Sequence, residues 1–260
     1  MDAHPLDRPR VLAAYPVAET WQEDLVARAR HDGWVRTSAK ILVASYVVLA
    51  AAMVGLGLSV SHFGPISRWD NSVVGWFSDH RSSGWNDAAK ALSALTDTVT
   101  IAAVAVATLL VLAWRRRWVD MLVLGIGLPL ELLVLTTATF TVDRPRPDVE
   151  RLGRLPGTAS FPSGHTAAGI VCYGGILVLL SRNRRPVPRA ALAAGSLLVA
   201  LLVAGVGFSR VYQGLHFPTD VMAGAVYGAG CLAVAVLITA ICADVRADRD
   251  ARYRVKGCFR

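Results

Sequence analysis

A chain of 260 residues that is 54% hydrophobic and only 18% charged, with mean hydropathy +0.45, is too apolar for an ordinary soluble domain of its size. The formal net charge of +8 does not point to nucleic acid, because the Lys and Arg residues fall between long apolar runs rather than along one polar face; the lipid bilayer is the expected partner. Cys172, Cys231 and Cys242 lie inside apolar runs and Cys258 near the chain end, which is neither a disulfide framework nor a metal-ligand spacing, so no metal or other cofactor is expected.

Residues 1–37 form a charged N-terminal segment without the pattern of a cleavable signal, and 19–36 within it suit a surface helix. A helix needs about 20 apolar residues to cross a hydrocarbon layer about 30 Å thick. Six stretches meet that need: 38–60, 92–114, 118–140, 164–181, 190–208 and 221–243. The first reads as an uncleaved signal anchor, and the expected fold is all-α, an integral membrane bundle of six transmembrane helices over residues 38–243 with a basic tail at 244–260. Of the Lys and Arg residues, 19 fall on the side of the termini and 8 on the other, which places both termini in the cytoplasm of a multi-pass plasma-membrane protein. Between the first two spans, Phe63, Trp69, Trp76, Phe77 and Trp85 alternate with polar residues, as in a short helix lying among lipid headgroups. Glu131, deep in the third span, is expected to face the bundle and find a buried partner or stay protonated.

Three polar islands interrupt the apolar chain, all at the extracytoplasmic ends of spans. In Asp143-Arg144-Pro145-Arg146-Pro147 the prolines end a helix and hold the arginines in extended chain, where guanidinium groups suit phosphate. In Pro162-Ser163-Gly164-His165 a serine of N-cap type and a glycine open a helix whose free amides favour an anion, with His165 in its first turn. In the third, Ser209-Arg210 is followed by His216 and, four residues on, by Asp220, with Pro218 suited to start a helix. A carboxylate that holds one imidazole nitrogen leaves the other free to attack phosphorus.

Together the islands resemble the type 2 phosphatidic acid phosphatase (PAP2) superfamily, whose motifs are Lys-x6-Arg-Pro, Pro-Ser-Gly-His and Ser-Arg-x5-His-x3-Asp. The second and third are complete here; the first has Arg144-Pro145 but carries Thr137 in place of the lysine. The resemblance implies that His216 becomes a phosphohistidine, Asp220 orients it and His165 protonates the leaving oxygen, while Arg144, Ser163, Gly164 and Arg210 bind phosphate. Thr137 and Arg146 are further candidate substrate contacts, and Arg151 and Arg154 could hold a second phosphate or pair with Asp143, Asp148 and Glu150. The implied activity is metal-independent hydrolysis of a membrane-embedded lipid phosphate or diphosphate on the extracytoplasmic side, first of all a polyprenyl (undecaprenyl) diphosphate. Phosphatidylglycerol phosphate or phosphatidate as substrate, transfer of the phosphoryl group to an alcohol, and lipid binding without turnover are the alternatives.

Overall fold

The structure is a computed structural model that describes residues 25–26, 33–153, 157–182 and 187–257, with side chains to 248. The expected N-terminal surface helix, Arg154 and Cys258 lie outside the described residues or almost wholly so. Among the described residues the chain is helical without strands: α1 (Trp34–His62), α2 (Gly64–Asp79), α3 (Ser83–Ala94), α4 (Thr98–Trp114), α5 (Leu122–Val142), α6 (Gly164–Ser181), α7 (Arg189–Tyr212) and α8 (Pro218–Gly257). Five of these, α1, α5, α6, α7 and α8, are each long and apolar enough to cross a bilayer, and α3 with α4 makes a sixth candidate bent by 41°.

That bend is the main departure from the expected spans. The stretch 92–114 reads in sequence as one helix, but the chain breaks at 95–97, where Thr96-Asp97-Thr98 interrupts the apolar run and Asp97 takes the N-cap position of α4. The loop expected to hold one interfacial helix holds two, α2 and most of α3, with Trp69, Trp76 and Trp85 exposed as membrane anchors would be. At the other end of the chain α8 runs without a break through position 244, where the basic tail was expected to begin.

Lipid is as apolar as a leucine side chain, so helices in a membrane associate by close packing rather than by leaving water. The outer faces accordingly carry Val47, Val48, Leu110, Leu198 and Val226 exposed, while the closest helix approach at the centre is made by small residues. Gly224 and Gly228, one turn apart on α8, lie against the first turns of α6: a Cβ at Gly228 would come within 2.7 Å of the Ala167 Cα. On this contact α5, α6 and α8 close around a core of Leu130, Val134, Phe161, Val171, Tyr227 and Cys231. A π-helical turn at Ile170–Gly174 interrupts α6 where it meets α5 and α8. Glu131 does find a buried partner there, since the Tyr227 hydroxyl donates to its Oε1 at 2.8 Å.

The same packing fixes the polar islands. The Ser163 amide donates to the Asp220 carbonyl at 3.0 Å, tying the start of α6 to the start of α8. Aromatic contacts of Phe77 and Trp85 with Phe208, at 5.4 and 5.8 Å, hold α2 and α3 against the end of α7. Arg81 donates to the carbonyls of Tyr212 and Glu150, and the Gln213 amide donates to that of Ala89. The outer helices are thereby fastened over the islands rather than left free in the headgroup layer.

Candidate active site

His216 lies in the short turn between α7 and α8, at 3% exposure. The turn needs Gly214, whose φ of +70° is in the left-handed region and whose missing side chain admits Val149. His216 Nδ1 lies 2.6 Å from the Ser160 carbonyl oxygen and 3.7 Å from Asp220 Oδ2. A carbonyl can only accept, so Nδ1 carries the proton and Nε2 the lone pair. The direct orienting partner is thus a backbone oxygen, with the Asp220 carboxylate behind it, whereas the spacing suggested Asp220 alone. Burial pulls the ring below the ordinary imidazole value of 6.5, and Arg210 and Arg146 add to the pull while Asp220 opposes it. A neutral ring with its lone pair at Nε2 is the form a nucleophile needs.

Asp220 sits at the third residue of α8 and reaches back, its Oδ2 accepting from the Phe217 amide at 2.9 Å, half of a capping box. Its Oδ1 accepts from Arg144 Nη1 at 2.6 Å. Arg144 is buried, stacked 4.2 Å from the Phe217 ring centroid, and its Nη2 donates to Asp70 Oδ2 at 2.7 Å. Asp70, on α2, also accepts from the amide and hydroxyl of Thr219. One arginine therefore bridges two carboxylates, and the arrangement welds the outer helix α2 to the turn between α7 and α8.

His165 occupies the first turn of α6, and its Nε2 lies 2.9 Å from Asp97 Oδ1 at the bend between α3 and α4. His165, His216 and Arg210 lie within electrostatic range of one another, so the second and third islands converge. Arg210, 4% exposed, donates from Nη1 to Ser93 Oγ at 2.8 Å, while its buried Nε has no hydrogen-bond partner among the described residues. Ser163 is at the N-cap of α6 without capping it; its Oγ accepts from the Thr166 hydroxyl at 3.1 Å. Gly164 leaves room that the Leu135 side chain fills, since a Cβ there would come within 2.7 Å of Leu135 Cδ2.

The remaining candidates are placed differently. Thr137 shares a 2.8 Å hydrogen bond with Tyr46 Oη, between α5 and α1. Arg146 is occupied by the carbonyls of Leu215, Thr158 and Ala159, and Arg151 by that of Pro147. Neither makes an ion pair with Asp143, Asp148 or Glu150 among the described residues. No group of three or more His, Cys, Asp or Glu side chains among the described residues is arranged to hold a metal.

Asp70, Asp97, Ser93 and Ser160 join the site without having been singled out in the sequence. Of these, Asp97 had a readable signal, an N-cap acid flanked by threonines inside an apolar run.

Residues 122–242 match the PAP2 superfamily. Among curated proteins the chain is 34% identical over 119 residues to "Putative undecaprenyl-diphosphatase YbjG" of Escherichia coli (strain K12), covering 44% of this chain and 54% of that protein. The chain thus spans about half the length of the curated relative it matches. Among solved structures it is similar to a transmembrane PAP2 type phosphatidylglycerolphosphate phosphatase from Bacillus subtilis, with TM-score 0.62 and 23% identity over 78% of this chain and 95% of that one. It is also similar to LpxE from Aquifex aeolicus, with TM-score 0.51 and 23% identity over 68% of this chain and 98% of that one. The segment that carries all three polar islands and brings their histidines and arginines together, residues 122–242, is the part of the chain that matches the PAP2 superfamily.

Proposed function

We propose that this chain hydrolyses a lipid phosphate or diphosphate through a phosphohistidine on His216, most favourably a polyprenyl diphosphate presented at the extracytoplasmic face. The observation that carries the reading is the buried His216, its Nδ1 proton committed to the Ser160 carbonyl and Nε2 left with its lone pair, beside Arg210 with an unpartnered Nε–H. A buried guanidinium with an unmet donor is stabilised by an anionic oxygen, and phosphate supplies one.

In the first step the Nε2 lone pair forms the N–P bond as the P–O bond to the leaving group breaks, and His165 gives its proton to the departing oxygen. In the second a water oxygen forms the new P–O bond, His165 takes the water proton, and the N–P bond breaks to release phosphate. Arg210 and the amides at the start of α6 meet charge on the equatorial oxygens. Arg144 serves phosphate less directly, because both its terminal nitrogens hold carboxylates; it keeps Asp220, and through it the catalytic turn, in place. Asp97 acts as a positioning residue by fixing which nitrogen of His165 carries a proton.

The outward orientation rests on the unequal distribution of Lys and Arg. The undecaprenyl preference rests on the curated Escherichia coli relative together with that orientation. The test is phosphate release by purified protein, in chelator, from polyprenyl diphosphate, phosphatidylglycerol phosphate and phosphatidate. Fastest release from the polyprenyl diphosphate is expected; a clear preference for either of the other two would reassign the substrate, and no release from any would overturn the reading.

A further inference from the structure

The histidines occupy one end of the bundle. Helix α6 carries His165 in its first turn and Arg182 just past its last, and its 18 residues span roughly 27 Å at about 1.5 Å per residue, close to the thickness of a hydrocarbon layer. At that far end the turn between α4 and α5, the end of α6 and α8 border an open cleft of about 660 Å³, within the size range of ligand pockets. Arg115, Arg116, Arg117, Arg182 and Arg246 line it, against one lining carboxylate among the described residues, Asp120.

The charges divide into two sets. Asp120 accepts from Arg117 Nε at 2.7 Å and lies 3.3 Å from Arg182 Nε, and Arg117 Nη2 donates to the Leu179 carbonyl at the end of α6. These three side chains form the wall. Arg115, Arg116 and Arg246 make no ion pair with Asp120, and all three are exposed to the cleft side of the bundle. Arg116 is held at φ +55°, a conformation that non-glycine residues seldom keep without a reason in the surrounding structure. Trp114 and Trp118 flank the arginines and are exposed, as indole rings are at the boundary between lipid tails and headgroups.

We propose that this cleft is a binding site for the phosphodiester headgroup of an anionic phospholipid, separate from the catalytic end. A soluble anion would gain nothing from the exposed indoles, whereas a phospholipid places its phosphate at the arginines and its chains along Trp114 and Trp118. The inference stands whether or not the chain is a phosphatase, because it uses none of the catalytic residues.

The test uses the purified full chain in phosphatidylcholine nanodiscs, titrated with phosphatidylglycerol and read as retained lipid by native mass spectrometry, wild type against the R115Q/R116Q/R246Q triple variant. The difference between the two proteins isolates this cleft from lipid held elsewhere. Each cation lost near an anionic headgroup weakens binding about fivefold, so phosphatidylglycerol should bind the triple variant on the order of 10²-fold more weakly. Equal affinity in the two proteins would overturn the proposal, as would an equal difference between them in titrations with inorganic phosphate alone, which would assign the cleft to a free anion. Should the triple variant not fold, the single Arg246→Gln protein is expected to show the fivefold loss, and no loss there would count against the site equally.

Discussion

The two histidines of the site sit in opposite environments. His216 is sealed, with a backbone carbonyl on one nitrogen and a carboxylate behind it that is itself locked to an arginine. His165 faces outward at 21% side-chain exposure, and its partner Asp97 is 54% exposed. A nucleophile must be neutral, fixed in tautomer and fixed in direction, which burial and rigid partners provide. An acid that later acts as base must exchange protons with water, which a wet carboxylate partner permits. In the proposed mechanism two pairs of the same residue types thus take two roles set by their surroundings.

The sharpest way to break this contrast is to remove each ring in turn. His216→Ala should lower phosphate release by about 10⁴-fold or more, because no second nucleophile stands behind it. Its detergent-solubilised fold should persist, which a size-exclusion profile will show. His165→Ala should cost about 10²- to 10⁴-fold, the range for losing a general acid. If the two variants lost equal rate on a substrate with a good leaving group, where no proton donor is needed, the division of labour would be wrong.

The sealed side also depends on Asp70. Asp70→Ala leaves Arg144 Nη2 buried without its carboxylate, and thermal unfolding should show a destabilisation of about 3 kcal/mol, the scale for breaking one half of a buried ion pair. A shift no larger than that of an exposed control such as Asp87→Ala would mean that α2 is not welded to the catalytic turn. On the open side the effect should be smaller. Asp97→Asn keeps a hydrogen-bonding group near His165 but removes the charge, and about a tenfold loss in kcat with little change in thermal stability is expected. Unchanged turnover would remove Asp97 from the site.

The same contrast explains what could be read from the chain beforehand. His165, His216, Arg210 and Asp220 were legible as candidates because the motifs they form resemble those of the PAP2 superfamily; a lone His and Asp at that spacing would have said little. Asp70 was not, since an acid among tryptophans is what any interfacial helix contains, and only tertiary packing buries it against Arg144. The apolar run 164–181 coincides with α6 because Ser163 and Arg182 punctuate it, whereas 92–114 hides its bend: averaging hydropathy over about 20 residues dilutes one aspartate. The Gly224 and Gly228 pair was readable as a small-residue packing face and would have located the α6–α8 contact that brings Ser163 to Asp220. The partner of His216 could not have been read, because a backbone carbonyl 56 residues away leaves no trace in residue type.

The most direct test is rapid-quench trapping with substrate labelled in the transferable phosphorus. Covalent label that is stable to alkali, lost in acid and recovered on the peptide containing His216 is the expected result, appearing before free phosphate and absent from His216→Ala. Phosphate release at full rate with no protein-bound label at any time, or label on the His165 peptide instead, would contradict the assignment of His216 as nucleophile.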